Sequence, residues 1–191
     1  MAKLDNISAD YARQLLEYCP ETGDLFWKYR PIEMFEDGDN SAIHACRAWN
    51  ANWAGTKIRS PNFYGYYRCA IDRQRYMAHR IAWLIYYGRW PNGCIDHKNG
   101  VRTDNRIANL FDVSHAENQQ NLPLRKNSKT GYIGVYWATH AQAYIAKISV
   151  KGKHIHLGQS KDPAECAKMY LAAKAKYHTY QPIPREMLPA D

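Results

Sequence analysis

Residues 94–121 read CIDHKNGVRTDNRIANLFDVSHAENQQN, and this stretch carries the most informative side chains of the chain. It sets Asp96 beside His97 and continues with Asn109 and Asn118. One hard oxygen ligand, one side chain that can act as a general base near neutral pH and two amides are sufficient to hydrolyse a phosphodiester with a single bound metal ion. The stretch therefore indicates a reaction class.

The same stretch predicts a local order of strand, loop, strand and helix. Isoleucine and cysteine lead into the Asp-His pair, so His97 is expected to close a short strand. The polar residues that follow contain Asn-Gly and Asp-Asn turn signals, and a second strand begins at Asn109. Ser114 and Glu117 form a capping box that predicts the start of a helix, which places Asn118 in its first turns.

Each of the four side chains suits one task in such a reaction. The carboxylate of Asp96 and the amide oxygen of Asn118 are hard ligands for one Mg²⁺ or Mn²⁺, with water and substrate phosphate completing the shell. His97, with an ordinary pKa near 6.5, can take a proton from water at neutral pH. Asn109 does not titrate, so we expect it to fix the backbone around His97.

Each of these residues also has an ordinary structural explanation. Asp96 could cap the loop, Asn109 could be a routine turn amide and Asn118 could be an exposed helix residue. Their joint spacing favours the catalytic interpretation. One geometric difficulty remains, because neighbouring residues on a strand point to opposite faces. Asp96 and His97 therefore share a site only if the backbone bends there or the substrate spans both faces.

The residues before this stretch predict a small mixed region. A short amphipathic helix is expected in residues 7–20, ended by a proline and a glycine, and a strand in residues 23–29. Residues 31–61 lack periodicity and are predicted to be loop with at most short strands. Residues 65–83 predict two strands joined by a turn near Arg73, and the second strand runs into a helix ended by Gly88.

The C-terminal residues predict a three-stranded antiparallel sheet backed by one helix. Strands are expected in residues 131–138, 143–152 and 153–159, with Lys151-Gly152 as a tight turn. A helix follows, for which Asp162 serves as N-cap and a proline occupies the first helical position. The fold class is therefore α+β.

The net charge of +8 is placed unevenly. Residues 1–124 contain 15 Lys and Arg against 14 Asp and Glu, whereas residues 125–180 contain 10 against 2. A basic block of this kind suggests a polyanion partner, although a soluble basic face is the alternative. On these counts the catalytic region is nearly neutral, and we expect the C-terminal block to bring substrate to it.

Composition excludes several protein classes. No run approaches the roughly 20 apolar residues that a membrane span needs, and the first residues lack the apolar core of a secretory signal, so we expect no membrane partner and a cytoplasmic location. Five widely spaced cysteines argue against a disulfide framework and against a zinc finger.

Most of the chain resembles the HNH nucleases found in phage and intron-encoded homing endonucleases, whose core is a ββα-metal fold. The matching segments are HRIAW at 79–83, GRWPNG at 88–93, IDHKNG at 95–100, DNRIANL at 104–110 and HAENQQN at 115–121. The resemblance implies that His97 is the general base, that Asp96 and Asn118 bind the metal and that Asn109 orients the base.

Two further features belong to this resemblance. CPETGDLFWK at 19–28 resembles the opening of phage-encoded members. His79 is part of the family pattern as well, but its position at a strand–helix junction favours a structural role. Residues 31–61 are the part that the resemblance covers least.

Residues 127–180 resemble the ethylene-response-factor (Apetala-two) DNA-binding domain through TGYIGVYW, AYIAKI, KHIHLG and the alanine-rich helix. That family lays its sheet in the major groove of DNA. The implied DNA-facing side chains are Tyr136, Trp137, Thr139, Tyr144, Lys147, Lys151, His154 and His156. Gln-Ala-Tyr replaces the usual Gly-Lys-Trp at 142–144, and arginines expected on the first strand are absent, which predicts modest sequence specificity.

Two smaller groups of side chains have open explanations. Lys126 and Lys129 either follow phosphates or merely keep the linker soluble. His154 and His156 have the spacing of a metal pair, but no third ligand is near in sequence, and two side chains on a solvated strand face are the favoured explanation.

The sequence thus predicts a metal-dependent DNA endonuclease that uses one Mg²⁺ or Mn²⁺ and acts on double-stranded DNA as a monomer or weak dimer. The expected parts are an N-terminal region (1–62), the nuclease core (63–122), a basic linker (123–131), the DNA-binding sheet (132–180) and a tail (181–191). The alternatives are a DNA-binding protein with an inactive nuclease core and a purely transcriptional regulator, and the latter leaves the Asp-His segment unexplained.

Overall fold

The computed structural model describes residues 6–38, 41–120, 124, 128–178 and 180. The chain forms two compact units, Met1–Asp112 and Val113–Asp191. Each unit is described by itself. Among the described residues, none of the helices has both the length and the apolar character needed to cross a bilayer.

The first unit is built from small antiparallel hairpins and three helices. Each hairpin is a two-stranded sheet, pairing β1 with β2, β3 with β4 and β5 with β6. The elements in chain order are α1 (Ala9–Leu15), β1 (Leu16–Cys19), β2 (Asp24–Trp27), α2 (Ala42–Trp53), β3 (Arg68–Ile71), β4 (Gln74–Met77), α3 (Ala78–Tyr87), β5 (Cys94–His97) and β6 (Leu110–Val113).

One apolar core holds these elements together. Leu15, Leu25, Ile71, Ile81 and Leu84 are almost fully buried in it, and they come from α1, β2, β3 and α3. Burying one such side chain contributes roughly 1.5–3 kcal/mol relative to exposure, so this cluster supplies much of the stability of the unit.

The predicted β3–β4–α3 order is confirmed. The turn at Asp72-Arg73 adopts positive φ angles of 49° and 63°, as a tight hairpin of this kind requires. Gly88 ends α3 in the left-handed conformation, with φ of 72°.

Two predictions for the N-terminal region are wrong. The first helix ends at Leu15 instead of running to the proline, because Leu16–Cys19 pairs with β2 as a strand. Residues 31–61 are not mainly loop, since they contain the twelve-residue helix α2.

Periodicity missed α2 because this helix buries only Cys46 fully. Polar contacts hold it instead. The amide of Asn50 donates to the carbonyl of Arg30 at 2.8 Å and accepts from its N–H at 2.9 Å. A helix held by such polar contacts does not need apolar residues at helical spacing, so its sequence shows no amphipathic pattern.

The second unit consists of one short helix and a sheet packed on a longer helix. Its elements are α4 (His115–Gln120), β7 (Val135–Ala138), β8 (Ala143–Val150), β9 (Lys153–Ser160) and α5 (Pro163–Tyr177). The antiparallel order β7-β8-β9 and the cap of α5 by Asp162, whose carboxylate accepts from the N–H of Ala164 at 2.8 Å, confirm the predicted arrangement.

Small residues allow the sheet of the second unit to lie close to α5. Ala146 and Ile148 pack against Cys166, Tyr170 and Ala173 of the helix. Gly134 precedes β7 with φ of 74°, and a Cβ placed there would lie 2.1 Å from the ring of Tyr170. Glycine is therefore required at this position both for its φ and for the close approach.

Candidate active site and nucleic-acid surface

β5 carries the Asp-His pair into the interior of the first unit. Ile95, Asp96 and His97 retain 9%, 8% and 3% of their exposure, so the strand is covered along both of its faces. One carboxylate oxygen of Asp96 accepts a hydrogen bond from the backbone N–H of His97 at 3.0 Å. This contact keeps the carboxylate beside the main chain of His97, although successive side chains of a strand start from opposite faces.

The ring of His97 is held by three side chains. Its Nε2 lies 3.1 Å from Oδ1 of Asn105. The ring of His79 meets it edge-on with centroids 5.2 Å apart, and the ring of Tyr66 lies at 5.7 Å. A ring fixed by one hydrogen bond and two aromatic contacts has little freedom to turn, which suits a group that must present one nitrogen in one direction.

Burial lowers the pKa of His97 below its ordinary value. The hydrogen bond to Asn105 and the carboxylates of Asp96 and Asp104 act in the opposite direction. The net result keeps the imidazole neutral at pH 7, and a neutral imidazole is the form that accepts a proton.

Asn105 is a site residue that the sequence analysis did not single out. It is only 3% exposed, and its backbone carbonyl accepts from the hydroxyl of Tyr18 at 2.7 Å. Asn105 lies within the quoted DNRIANL segment, but an asparagine in a polar loop carries no sign of its distant partner. Only the folded chain brings it to His97, eight residues away.

The turn between β1 and β2 supports Asn105 from below. Gly23 has φ of 77°, and a Cβ there would lie 2.4 Å from the backbone nitrogen of Arg106 and 2.5 Å from the carbonyl carbon of Asn105. The N–H of Ile107 donates to the carbonyl of Pro20 at 3.2 Å. The N-terminal hairpin therefore positions the segment that carries the partner of His97.

Asn109 holds the loop that follows His97 at both ends. Its Oδ1 accepts from the N–H of Asn99 at 2.9 Å, and its Nδ2 donates to the carbonyl of Asp104 at 2.8 Å. Its own carbonyl accepts from the N–H of Lys98 at 2.9 Å. The side chain is 7% exposed and ends a single turn of 3₁₀ helix, immediately before β6. These contacts are those expected of a residue that fixes the backbone around His97.

His79 lies in the first turn of α3 and is 8% exposed. Burial lowers its pKa to about 3, with smaller contributions from His97 and Arg80. Its Nδ1 is buried without a hydrogen-bond partner among the described residues. A neutral, buried ring in contact with His97 agrees with the structural role that its position at the strand–helix junction favours.

Asn118 lies on α4, in the second unit. The capping box is present: the N–H and the hydroxyl of Ser114 donate to the carboxylate of Glu117 at 2.8 and 2.7 Å, and the N–H of Glu117 donates to the serine Oγ at 3.2 Å. The N–H of Asn118 then donates to the carbonyl of Ser114 at 3.0 Å, so Asn118 is in the first turn, as predicted.

The structure brings Asp96, His97 and Asn109 together within the first unit. Within the part of the chain that the structure describes, no group of three or more His, Cys, Asp and Glu side chains is placed to hold a metal ion. The predicted donor set, one carboxylate and one amide oxygen, has the chemistry of a site completed by water and substrate oxygen atoms.

The strand register sorts the predicted DNA-facing residues of the second unit onto two faces. Lys147 pairs with His156, and Tyr136 pairs with Ile145, two residues before Lys147 on β8. His154 pairs with Ser149, two residues after Lys147. Because side chains alternate along a strand, Tyr136, Lys147, His154 and His156 share the face opposite α5.

Trp137 and Tyr144 lie on the other face, which corrects the prediction that they face DNA together with the rest. They pair across β7 and β8 with ring centroids 4.9 Å apart. Trp137 follows the core residue Val135 by two positions, and Tyr144 packs against the cluster that contains Cys166 of α5. Because side chains two positions apart on a strand lie on the same face, Trp137 lies on the same face as Val135.

The remaining predicted DNA contacts are in turns. Thr139 is exposed after β7, Lys151 is exposed in the β8–β9 turn, and Lys129 is exposed before β7. Lys126 lies outside the described residues. His154 and His156 are both exposed, in agreement with two side chains on a solvated strand face.

A family model described as HNH endonuclease matches residues 76–120, which include the end of β4 and all of α3, β5, β6 and α4. The match supports a nuclease activity and DNA as the substrate, and it agrees with the arrangement around His97. It ends before the C-terminal sheet, for which no evidence of an ethylene-response-factor domain exists. No curated protein and no solved structure matches the chain.

Proposed function

We propose that the chain is a metal-dependent endonuclease that hydrolyses phosphodiester bonds in double-stranded DNA, with His97 as the general base. The observation that carries this proposal is the neutral, buried ring of His97 held at Nε2 by Asn105, inside the segment that matches the HNH endonuclease model. With Nε2–H donating to Oδ1 of Asn105, the lone pair is on Nδ1. Nδ1 is then the atom that takes the proton from the attacking water.

The other core residues have supporting roles in this proposal. Asn109 fixes the loop 99–104 and thereby the direction of the His97 ring. Asp96 and Asn118 would hold one Mg²⁺ or Mn²⁺, since a carboxylate and an amide oxygen are the hard ligands that such ions prefer. When bound, the ion would supply positive charge beside the scissile phosphate and the leaving oxygen.

The second unit is proposed to bind DNA through the face opposite α5. The support is the basic charge of residues 125–180 together with the shared face of Tyr136, Lys147, His154 and His156. We include in this proposal Thr139 and Lys151 in the turns and Lys129 before β7 as further DNA contacts. In this division the nuclease core is residues 63–122 and the DNA-binding sheet is residues 132–180.

From the sequence resemblance we further propose that the protein is a phage-type or homing HNH enzyme. We also propose that it acts in the cytoplasm, which is that of the host cell if a phage encodes it, as a monomer or weak dimer.

Nicking of supercoiled plasmid by the His97→Ala variant tests the proposal. In Mg²⁺ or Mn²⁺ we expect a rate about 10²–10⁴-fold below that of the unmodified protein, because that is the usual contribution of a general base. DNA binding in EDTA should remain unchanged. His44→Ala, which removes an exposed histidine of the same unit, is the matched control and should nick normally.

Two outcomes would contradict the proposal. Normal nicking by His97→Ala would refute the assignment of the base. Tight DNA binding by the unmodified protein without nicking in either metal would instead favour a DNA-binding protein with an inactive nuclease core. Loss of metal-dependent nicking in Asp96→Asn and in Asn118→Ala, with recovery at higher metal concentration, would support the two ligands.

A further inference from the structure

The first unit contains a groove that the proposed reaction does not use. It has a volume of about 760 Å³ and lies between α2, the segment after it and the β3–β4 hairpin. Six basic side chains line what we call the arginine groove, namely Arg30, Lys57, Arg59, Arg68, Arg73 and Arg75. The one acidic residue in the lining, Asp72, accepts a hydrogen bond from the hydroxyl of Tyr11 at 3.1 Å.

The β3–β4 hairpin carries Arg68, Arg73 and Arg75 of these six residues, and two of them lie on the hairpin face away from the core. Cys69, Ile71 and Tyr76 are buried in the core on one face of the hairpin. Alternation then places Arg68 on the opposite face, and the register sets Arg75 on that face as well, opposite Ala70. The hairpin is therefore amphipathic: one face packs in the core, and the other face carries Arg68 and Arg75.

Most of these cations form no ion pair. Of the six, Lys57 forms an ion pair with Asp24. For Arg59, Arg68, Arg73 and Arg75 there is no ion-pair partner among residues 6–38, 41–120 and the other described residues. Four unpaired guanidinium groups around one concavity repel one another, so the arrangement gains stability when an anion enters.

The aromatic floor of the groove orders one of its cations. The guanidinium of Arg30 lies over the ring of Trp49 at 3.9 Å and within 5.2 Å of the ring of Trp27. The two indoles meet edge-on at 5.6 Å. A stacked guanidinium loses less conformational entropy when it binds phosphate, and its planar fork matches two phosphate oxygens.

The groove is close to the candidate active site along the chain. Tyr66 contacts the rings of both His79 and His97, at 5.2 and 5.7 Å. Arg68 lines the groove only two residues later, a span of about 7 Å in extended chain. A polyanion that passes His97 can therefore continue into the arginine groove.

We propose that the arginine groove binds the phosphate backbone of duplex DNA next to the cleaved bond. This inference rests on the proposed nuclease function and names a second DNA-contacting surface, on the same unit as His97. It also changes the conclusion from net charge that the catalytic region is nearly neutral. Residues 57–80 contain six Lys and Arg and one Asp, whereas the rest of residues 1–124 contain nine and thirteen, so a nearly neutral total hides a strongly basic surface.

Binding of a fluorescent DNA duplex in EDTA, measured by anisotropy over a range of NaCl concentrations, tests the proposal. All proteins carry His97→Ala, so the result does not depend on cleavage. The groove variant is Arg59→Ala with Arg75→Ala, both exposed arginines. The control, Arg47→Ala with Arg89→Ala, removes two exposed arginines that do not line the groove.

We expect the groove variant to bind about tenfold more weakly at 0.1 M NaCl. Its plot of log affinity against log salt should be flatter by about 1.8, because each lost phosphate contact removes about 0.9 from the slope. The control should keep both the affinity and the slope. A third protein with Arg59→Lys and Arg75→Lys should retain most of the slope, which separates lost charge from damaged folding.

The proposal is overturned if the groove variant matches the control, if its affinity falls without any change in slope, or if the Lys variant loses as much as the Ala variant. Preference of the groove for single-stranded nucleic acid over duplex would overturn it as well. Failure of the nuclease proposal is seen separately, as absence of nicking by the protein with His97 intact while the groove variant still shows weakened binding.

Discussion

The two units carry positive charge in different ways. In the first, the six basic residues of 57–80 lie in a background of excess acid, and the fold gathers most of them around one groove. In residues 125–180, ten basic residues are spread along a sheet and a helix with two acids. Electrostatic attraction depends on the local density of charge and not on the net charge of a whole region. A count of charged residues over the region therefore misses the groove of the first unit but detects the basic block of the second.

The comparison extends to what each unit does with its side chains. The first unit buries polar groups and holds them in fixed positions, with Asp96, His97, Asn105 and Asn109 all less than 9% exposed. The second unit buries mainly apolar side chains, with His178 as the one buried polar side chain among its described residues, and leaves His154 and His156 exposed. A rigid polar cluster suits a reaction, whereas an exposed basic sheet suits binding to a long polyanion.

Among the tests of this comparison, the largest effect should come from Asn105→Ala, which would show that the first unit acts through positioning. We expect nicking to slow by about 100-fold, within the usual contribution of a general base, while DNA binding stays unchanged. Because the hydrogen bond that Nε2–H of His97 donates to Asn105 raises the pKa of His97, its loss should move the acidic limb of the pH–rate profile to lower pH. Asn52→Ala, on the exposed side of α2, is the control; an unmoved limb would argue that Asn105 is only structural.

A pair of glycine substitutions tests whether the two roles separate. Gly23→Ala and Gly134→Ala both force a Cβ into occupied space at a positive φ, so each should destabilise its own unit by about 2–3 kcal/mol in urea unfolding. We expect Gly23→Ala to reduce nicking because it displaces Asn105, and Gly134→Ala to weaken DNA binding because it disturbs β7. If Gly23→Ala instead weakened DNA binding and Gly134→Ala instead reduced nicking, the two units would not have the separate roles proposed.

Replacement of Lys147 and Lys151 by Gln should weaken duplex binding about tenfold and flatten its salt dependence by about 1.8, because two phosphate contacts would be lost. Lys168→Gln with Lys176→Gln, both exposed on α5, is the matched control in the same unit. Equal loss in both pairs would show that binding follows total charge and not the face opposite α5.

The smallest effect concerns stability against pH in the first unit. The pKa of His79 is about 3 in the folded chain and near 6.5 when unfolded, so the unfolded chain binds the extra proton as pH falls. Stability should decrease from about pH 6.5 downward and level off near pH 3. Between pH 7 and 5.5 we expect the free energy of unfolding to drop by about 1 kcal/mol more in the unmodified protein than in His79→Gln.

Urea unfolding at the two pH values measures this difference. His44→Gln, which replaces an exposed histidine of the same unit, serves as control. If His79→Gln loses stability with acid as steeply as the unmodified protein, burial of His79 does not set the acid sensitivity.

Much of the fold followed from local patterns. Alternating residues predicted β3, β4 and the C-terminal sheet, and the capping box at Ser114 placed the start of α4. Patterns of this kind reflect interactions between residues a few positions apart, so a linear reading reveals them. The sequence pattern did not predict α2, because contacts between separate segments of the chain, such as that between Asn50 and Arg30, hold this helix. Such contacts produce no periodic pattern of apolar residues.

The sequence by itself determined which functional groups are available, namely the carboxylate of Asp96, the imidazole of His97 and the amide of Asn109, and these groups indicated a nuclease. Only the tertiary structure showed that Asn105 holds the His97 ring, that Gly23 supports Asn105 and that scattered arginines meet in one groove. The physical reason is that the functional group of a side chain is a property of its own atoms, whereas its pKa, orientation and neighbours depend on contacts between residues far apart in sequence.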